Sequence, residues 1–230
     1  MWQYDRGQEK EQRLTRIKQL SQQAPLSLTK IVSLANTENL NDYPILVEGT
    51  FDENVIFLLD NQVENRVLGY RVLQLVQTEK HAVLVNLGWV KGSINRSELP
   101  NITALTGQYS FTGHIRLIDT GIMLQAQNFT QIHWPLRVQQ IELNKFSTLL
   151  NVTLLPFVVY VNTDEPLGYK KNWQPVVMPP EKHFGYSVQW AGLAIAWLIL
   201  MLWFKYSSYY SNKSPKDNHY QNNKEVISRD

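Results

Sequence analysis

FGYSVQWAGLAIAWLILMLWF, residues 184–204, contains no Asp, Glu, Lys or Arg; it is entered through Glu181-Lys182-His183 and left through Lys205. At a rise of ~1.5 Å per residue, a helix of this length crosses the ~30 Å hydrocarbon core of a bilayer. Its ends suit that role. Tyr186 and Trp190 stand near one boundary, and Trp203, Tyr206, Tyr209 and Tyr210 near the other, where amphipathic rings favour the headgroup region. A core helix of a large soluble protein has a similar composition, but nothing else in the chain is long enough to wrap such a helix on all sides. The stretch therefore predicts a transmembrane helix and makes this a membrane-anchored chain.

Working outward, about 180 residues precede the run, enough for one sizeable domain with its own core. The 230 residues carry a formal net charge of +2, too little for a nucleic-acid surface, and no basic stripe is present. Cysteine is absent, which excludes disulfides, thiolate metal sites, CxxC redox chemistry and a cysteine nucleophile. Lys205, Lys213, Lys216 and Lys224 follow the run while Lys170, Lys171 and Lys182 precede it, a slight preference for a cytoplasmic tail. No second hydrophobic run and no signal peptide is read, so the route by which a large domain ahead of a C-terminal anchor would be exported is a puzzle at this stage.

Residues 2–23 are polar, with Leu14, Ile17 and Leu20 at helical spacing among Arg13, Arg16 and Lys18. This predicts a helix with one narrow apolar edge, ended by Pro25. From about Tyr43 the period changes to two. Residues 45–51 and 55–59 read as a hairpin about the turn Asp52-Glu53-Asn54, and residues 70–76 and 82–90 as a second hairpin around Glu79-Lys80. A strand over 107–117 follows the turn-rich stretch 91–100, with a further short strand at Met123 to Ala126. Leu143, Phe146 and Leu150 share a face of a short amphipathic helix, which precedes the apolar strand 154–161. Residues 163–180, with four prolines, read as a loop, and the Ser-, Asn-, Tyr- and Lys-rich tail as disordered. The fold class predicted is membrane-anchored α+β with a β-rich domain, barrel- or sandwich-like. Its divisions are a helical segment at 1–24, the β-rich domain at 25–180, the membrane helix at 184–204 and the tail at 205–230.

Signatures of common chemistry are missing: there is no hydrolase elbow, P-loop or dinucleotide fingerprint. Ser110, His114, Arg116 and Asp119 resemble a catalytic set in type, but alternation along a strand is expected to scatter them over two faces. His81, His114, His133 and His219 stand apart from other metal-ligating residues. His183 differs. It sits where the chain enters the bilayer, on a helix face with Ser187, Trp190, Ala194, Trp197 and Met201. An imidazole with aromatic neighbours at an apolar boundary suits an axial ligand of haem iron; the alternative is an interfacial histidine bonded to water and headgroups.

These residues also form a pattern. Trp2-Gln3 with Arg6 and Lys10, Tyr43-Pro44 leading to Gly49-Thr50-Phe51, Asn86-Leu87-Gly88-Trp89-Val90, Asn128 with His133-Trp134, and His183-Phe184-Gly185-Tyr186-Ser187-Val188-Gln189-Trp190 occur in that order. Together they resemble the surfeit locus protein 1 family of cytochrome c oxidase assembly factors over nearly the whole chain. Two departures stand out: Leu87 occupies a position where the family carries arginine, and Gln74 one where it usually carries proline.

The resemblance implies two membrane helices flanking a domain outside the cytoplasm or matrix. Met1 precedes Trp2 where the first helix would be finishing, so a first transmembrane helix is expected upstream of this sequence, which would resolve the export puzzle. It further implies a non-enzymatic role: binding haem a and aiding its insertion into the catalytic subunit of the oxidase, in contact with the haem a synthesis machinery and membrane lipid, without nucleic acid. His183 is then the expected iron ligand. Tyr186 and Trp190 would line the haem-facing side of the helix, and Trp2 and Gln3 would continue that wall. The implied location is the bacterial inner membrane with the domain in the periplasm, or the mitochondrial inner membrane in a eukaryote. The alternative is a membrane-anchored scaffold that binds an oxidase subunit and never touches haem.

Overall fold

A computed structural model describes residues 2–35, 37–118 and 132–211. The expected strand at Met123 to Ala126, Asp119, Asn128, His219 and the end of the tail lie outside them. The fold is α+β: one seven-stranded sheet with short helices and a long apolar helix at the C-terminus. The chain forms two compact units, Met1–Glu11 with Met178–Asp230, and Gln12–Val177.

In the larger unit the elements follow the hydrophobic pattern. Helix α1 (Trp2–Leu20) enters it with its second half, where Leu20 is buried and Arg13 bonds Asp42. Strand β1 (Leu26–Ser27) leads into helix α2 (Leu28–Leu34), whose N-cap Ser27 accepts from the Lys30 N–H and whose Leu28 and Ile31 are buried. The sheet continues with β2 (Pro44–Glu64), β3 (Val67–Gln77), β4 (Ala82–Lys91), β5 (Gly107–Leu117), β6 (Leu136–Val138) and β7 (Leu154–Val161), with helix α3 (Leu143–Leu150) before β7. The pairings run β2-β3-β4-β7-β5 and return from β5 to β2; β1 and β6 pair β2 in parallel.

The strand at 107–117, helix 143–150 and strand 154–161 match expectation, as does the β3–β4 hairpin. The first expected hairpin does not form. β2 is one strand of 21 residues, and Asp52-Glu53-Asn54 lie in a bulge, where the register to β3 jumps from Phe51↔Val76 to Ile56↔Gln74. The turn chemistry is real but local, since the Asn54 N–H donates to Asp52 Oδ1 at 2.9 Å. Gln74 holds the bulge: its fully buried amide donates to the Asp52 carbonyl at 3.0 Å and the Leu105 carbonyl at 2.7 Å, and accepts from the Leu105 N–H. The true reversal comes at Asn65 and Arg66, with φ of 49° and 65°, the two left-handed residues of a tight hairpin.

Alternation divides the sheet's side chains into two clusters. Val47, Phe51, Val72, Val85, Phe111, Ile115 and Val159 pack on one face with α2 at one end. Phe57, Leu73, Leu75, Leu84 and Val158 pack on the other, covered by α3 and β6. The Phe57 and Phe146 rings stack at 4.3 Å, each worth ~2–3 kcal/mol of burial. Leu87 is fully buried in the first cluster, an apolar side chain where the resembled family has arginine. The next residue, Gly88, has φ +118°, and a Cβ there would meet the Tyr169 and Lys170 backbone at 2.8 Å. That close approach lets the Trp89 N–H reach the Lys170 carbonyl and ties the 163–180 loop to β4.

Helix α4 (Pro180–Ser211) is longer than the uncharged run predicts. Pro180 starts it, its fixed φ suiting the first helical position, and it passes Lys205 without a break.

Candidate functional site

The smaller unit brings the first turns of α1 and α4 together. His183 sits in the first turn of α4, and its Nδ1 lies 2.8 Å from Gln3 Oε1. An amide oxygen only accepts, so Nδ1 carries the proton and donates. In the neutral ring this leaves the lone pair on Nε2, and among the described residues no hydrogen bond reaches that atom. A carbonyl that accepts from one imidazole nitrogen orients a metal-ligating histidine and leaves its other nitrogen for the metal.

The approach of the two helices is set by Gly7 and Phe184. Gly7 is buried, and a Cβ there would fall 2.6 Å from Phe184 Cε1. Phe184 also meets the Tyr4 ring, with centroids 5.5 Å apart and planes tilted by 53°. Of the five residues expected at the site, His183 and Gln3 are therefore in contact. Trp2, Tyr186 and Trp190 are 65%, 44% and 64% exposed and make no ring contact with His183. Tyr186 and Trp190 follow His183 at helical spacing on its face of α4, while Trp2 carries the Arg6 guanidinium 5.9 Å from its ring. Tyr4, Gly7 and Phe184 were missed by sequence reasoning. The available signal was the spacing Gln3 to Gly7, which puts a small residue one turn from a polar one on a single helix face.

From Pro180 to Tyr209 α4 is long and apolar enough to cross a membrane: its most apolar 18-residue stretch has a mean hydropathy of 1.7, and none of that stretch is buried. Val188, Leu198, Leu202 and Phe204 are all more than half exposed.

The larger unit holds a different polar cluster. Asp42, buried with φ 70°, accepts from Arg13 Nε and Nη2 and from Arg116 Nη1, each at 3.1 Å. The His114 ring lies against Trp173, with centroids 4.3 Å apart and planes tilted by 36°, and has Nδ1 3.4 Å from Asn162 Oδ1. Burial pushes its pKa down to about 4, against weaker opposing effects of Asn162 and Asp42, so the ring is neutral at pH 7. Ser110, His114 and Arg116 share one face of β5, because their spacings are even, so the expected scatter over two faces does not hold for these three; Asp119, the fourth of the set, lies outside the described residues. No hydrogen bond joins Ser110 to His114 among the described residues: the imidazole's neighbours are Asn162, Trp173 and Tyr160. Nor do the described residues contain a group of three or more His, Asp or Glu placed to hold a metal ion.

No match is found among curated proteins. A family profile described as the SURF1 family, by contrast, matches residues 1–195, spanning both ends of the helix pair at His183 and the whole β-rich unit. Members of that family are membrane-associated factors in cytochrome oxidase assembly and are not enzymes. The chain belongs to the SURF1 family.

Proposed function

We propose that this protein carries haem a as cargo during assembly of cytochrome c oxidase, holding the iron through His183 Nε2 and delivering the haem to the catalytic subunit. The observation that carries this reading is the 2.8 Å contact between His183 Nδ1 and Gln3 Oε1. It fixes the tautomer and ring orientation, and it leaves one neutral nitrogen donor at the start of an apolar helix. The donor set fits haem: imidazole is a common axial ligand, and a single exchangeable ligand suits a carrier that must release what it holds. Haem supplies the redox-active iron; the chain's own residues bind, orient and shield it. Trp190 and Tyr186 offer exposed aromatic faces on the His183 side of α4, and Trp2 and Gln3 extend that wall on α1.

Helix α4 serves as the membrane anchor in this reading. Its exposed apolar side chains would be costly in water and are satisfied by lipid. The protein then resides in the bacterial inner membrane with its β-rich unit in the periplasm, or in the mitochondrial inner membrane of a eukaryote. Haem at the membrane boundary stays out of bulk water, and no bond-making step is asked of the carrier.

The test is to co-express the protein with the enzymes that make haem a, purify it in detergent and record its visible spectrum beside that of His183→Ala. A haem spectrum that shifts or disappears in the variant supports the proposal. An empty wild-type protein under haem-replete conditions that still captures an oxidase subunit overturns it in favour of a scaffold.

A further inference from the structure

Four of the β-rich unit's exposed apolar side chains gather at the closed end of the β2–β3 hairpin. Val63 is 63% exposed, Val67 and Leu68 are each 38% exposed, and Ile94 is fully so. Val63 pairs with Leu68 and Glu64 with Val67, around the turn at Asn65 and Arg66. Opposite residues of an antiparallel pair share a face, and neighbours along a strand do not. Val63 and Leu68 therefore lie on one face of the tip and Val67 on the other. The next loop brings Ile94 alongside: Lys91 pairs with Gly69, and the Gly92 N–H donates to the Leu68 carbonyl at 3.1 Å.

A sheet with one face on a core and the other in water shows apolar residues on one face only. A hairpin end with valine or leucine on both faces suits immersion in an apolar medium better than docking against a flat protein surface. Charge points the same way. Glu64, in the tip, is held by Lys170 at 2.7 Å and by Asn172 Nδ2 at 2.9 Å. Asp60, further back on β2, accepts from Arg96 Nη2 at 2.9 Å through both oxygens. Glu98 accepts from Asn95 Nδ2. Arg66 and Lys91 are exposed and have no ion-pair partner among the described residues, so the free charges around the tip are two cations against one acid. Asn172 also fixes where the chain leaves this end of the unit: eight residues further on, Pro180 begins α4. That stretch spans ~28 Å at full extension, so a bilayer crossed by α4 lies within reach of the hairpin.

We propose that the β2–β3 tip docks on the membrane surface, with Val63, Val67, Leu68 and Ile94 entering the headgroup region while Arg66 and Lys91 face anionic phospholipid. Apolar side chains with cations beside them hold a structure at a charged bilayer surface. The inference rests on the reading of α4 as a membrane anchor and is independent of haem.

The chain has no cysteine, so single-site labels are unambiguous. The full chain is reconstituted in nanodiscs of phosphatidylcholine alone or mixed with phosphatidylglycerol. Bimane is placed at Ile94→Cys or Val63→Cys, or at two reference sites, Glu79→Cys in the β3–β4 turn and Ala194→Cys in α4; all four positions are exposed. Quenching is read with headgroup nitroxide lipid for the β-rich unit and acyl-chain nitroxide lipid for α4. In anionic discs the tip labels should be quenched at least several-fold more than the Glu79 label. That quenching should fall several-fold without phosphatidylglycerol, and again when Arg66→Glu and Lys91→Glu are combined. Quenching at Ala194 with none at the tip overturns the docking and leaves the anchor standing, whereas quenching at neither overturns both. Tip quenching indifferent to lipid charge and to the charge reversals also overturns the proposal. A tip label unquenched in discs but shielded when an oxidase subunit is added overturns it in favour of a protein partner.

Discussion

Gln3 and His183 stand 180 positions apart in the chain and meet through one hydrogen bond. The bond makes a prediction at the scale of a side chain. Gln3→Leu keeps the size but removes the carbonyl that holds Nδ1, so haem affinity should fall ~10- to 100-fold, the usual effect of losing an orienting partner; a haem titration followed in the Soret region measures it. His114 gives the second prediction at this scale. Its folded pKa, about 4, lies below the ~6.5 of an unfolded histidine. The stability gained by keeping the ring neutral is thus present above pH 6.5 and is lost as pH falls from about 6.5 to about 4, by ~3 kcal/mol in all. Thermal unfolding across this range should show a slope that flattens in His114→Gln. These residue-scale features were only partly legible. The sequence marks His183 as a candidate through its place at the membrane boundary, but its pairing with Gln3 was suggested by family resemblance alone. The surroundings of His114 depend on long-range packing of the Trp173 loop, which no spacing rule encodes.

Among the elements, α3 is docked by one side chain above all. Phe146 is fully buried and stacked on Phe57, so Phe146→Ala should cost ~3–5 kcal/mol and loosen α3 before the sheet, visible as faster amide exchange over Leu143–Leu150. At the helix pair, Gly7→Leu drives a branched side chain into Phe184. It should separate the first turns of α1 and α4, break the Gln3–His183 bond and weaken haem binding as Gln3→Leu does, while leaving the β-rich unit's thermal transition in place. The elements read correctly from sequence are α1, the β3–β4 hairpin, β5, α3 and β7, whose hydrophobic period runs long enough to show. β2 was misread because Asp52-Glu53-Asn54 carries the composition of a turn, and a bulge uses the same residues for the same local hydrogen bonds. The reversal at Asn65-Arg66 was passed over since arginine is uncommon at positive φ. Helix α2 is seven residues long, too short for periodicity to show. β1 and β6, of two and three residues, are strands only because β2 is there to pair them.

For the molecule as a whole, the β-rich unit and the helix pair have separate physics. The unit from Gln12 to Val177 is held by two clusters of buried side chains and by polar staples such as Gln74. The helix pair is held by a close approach at Gly7 and presents aromatic and apolar side chains outward. Sequence composition was enough to find that contrast, because the uncharged run at 184–204 and the alternating strands differ in period as well as hydropathy. Membership of the SURF1 family places the chain in oxidase assembly; haem held by His183 is the proposal that the predictions above test.

The central claim is that His183 Nε2 is the iron ligand, and chemical rescue tests it most directly. Purified His183→Gly in detergent should give a weakened, shifted Soret band on addition of haem. Millimolar imidazole, entering the space the side chain vacates, should restore the wild-type band, and should fail to do so when the gap is refilled in His183→Leu. A His183→Gly protein whose Soret band already matches wild type, with no response to imidazole, would contradict the account.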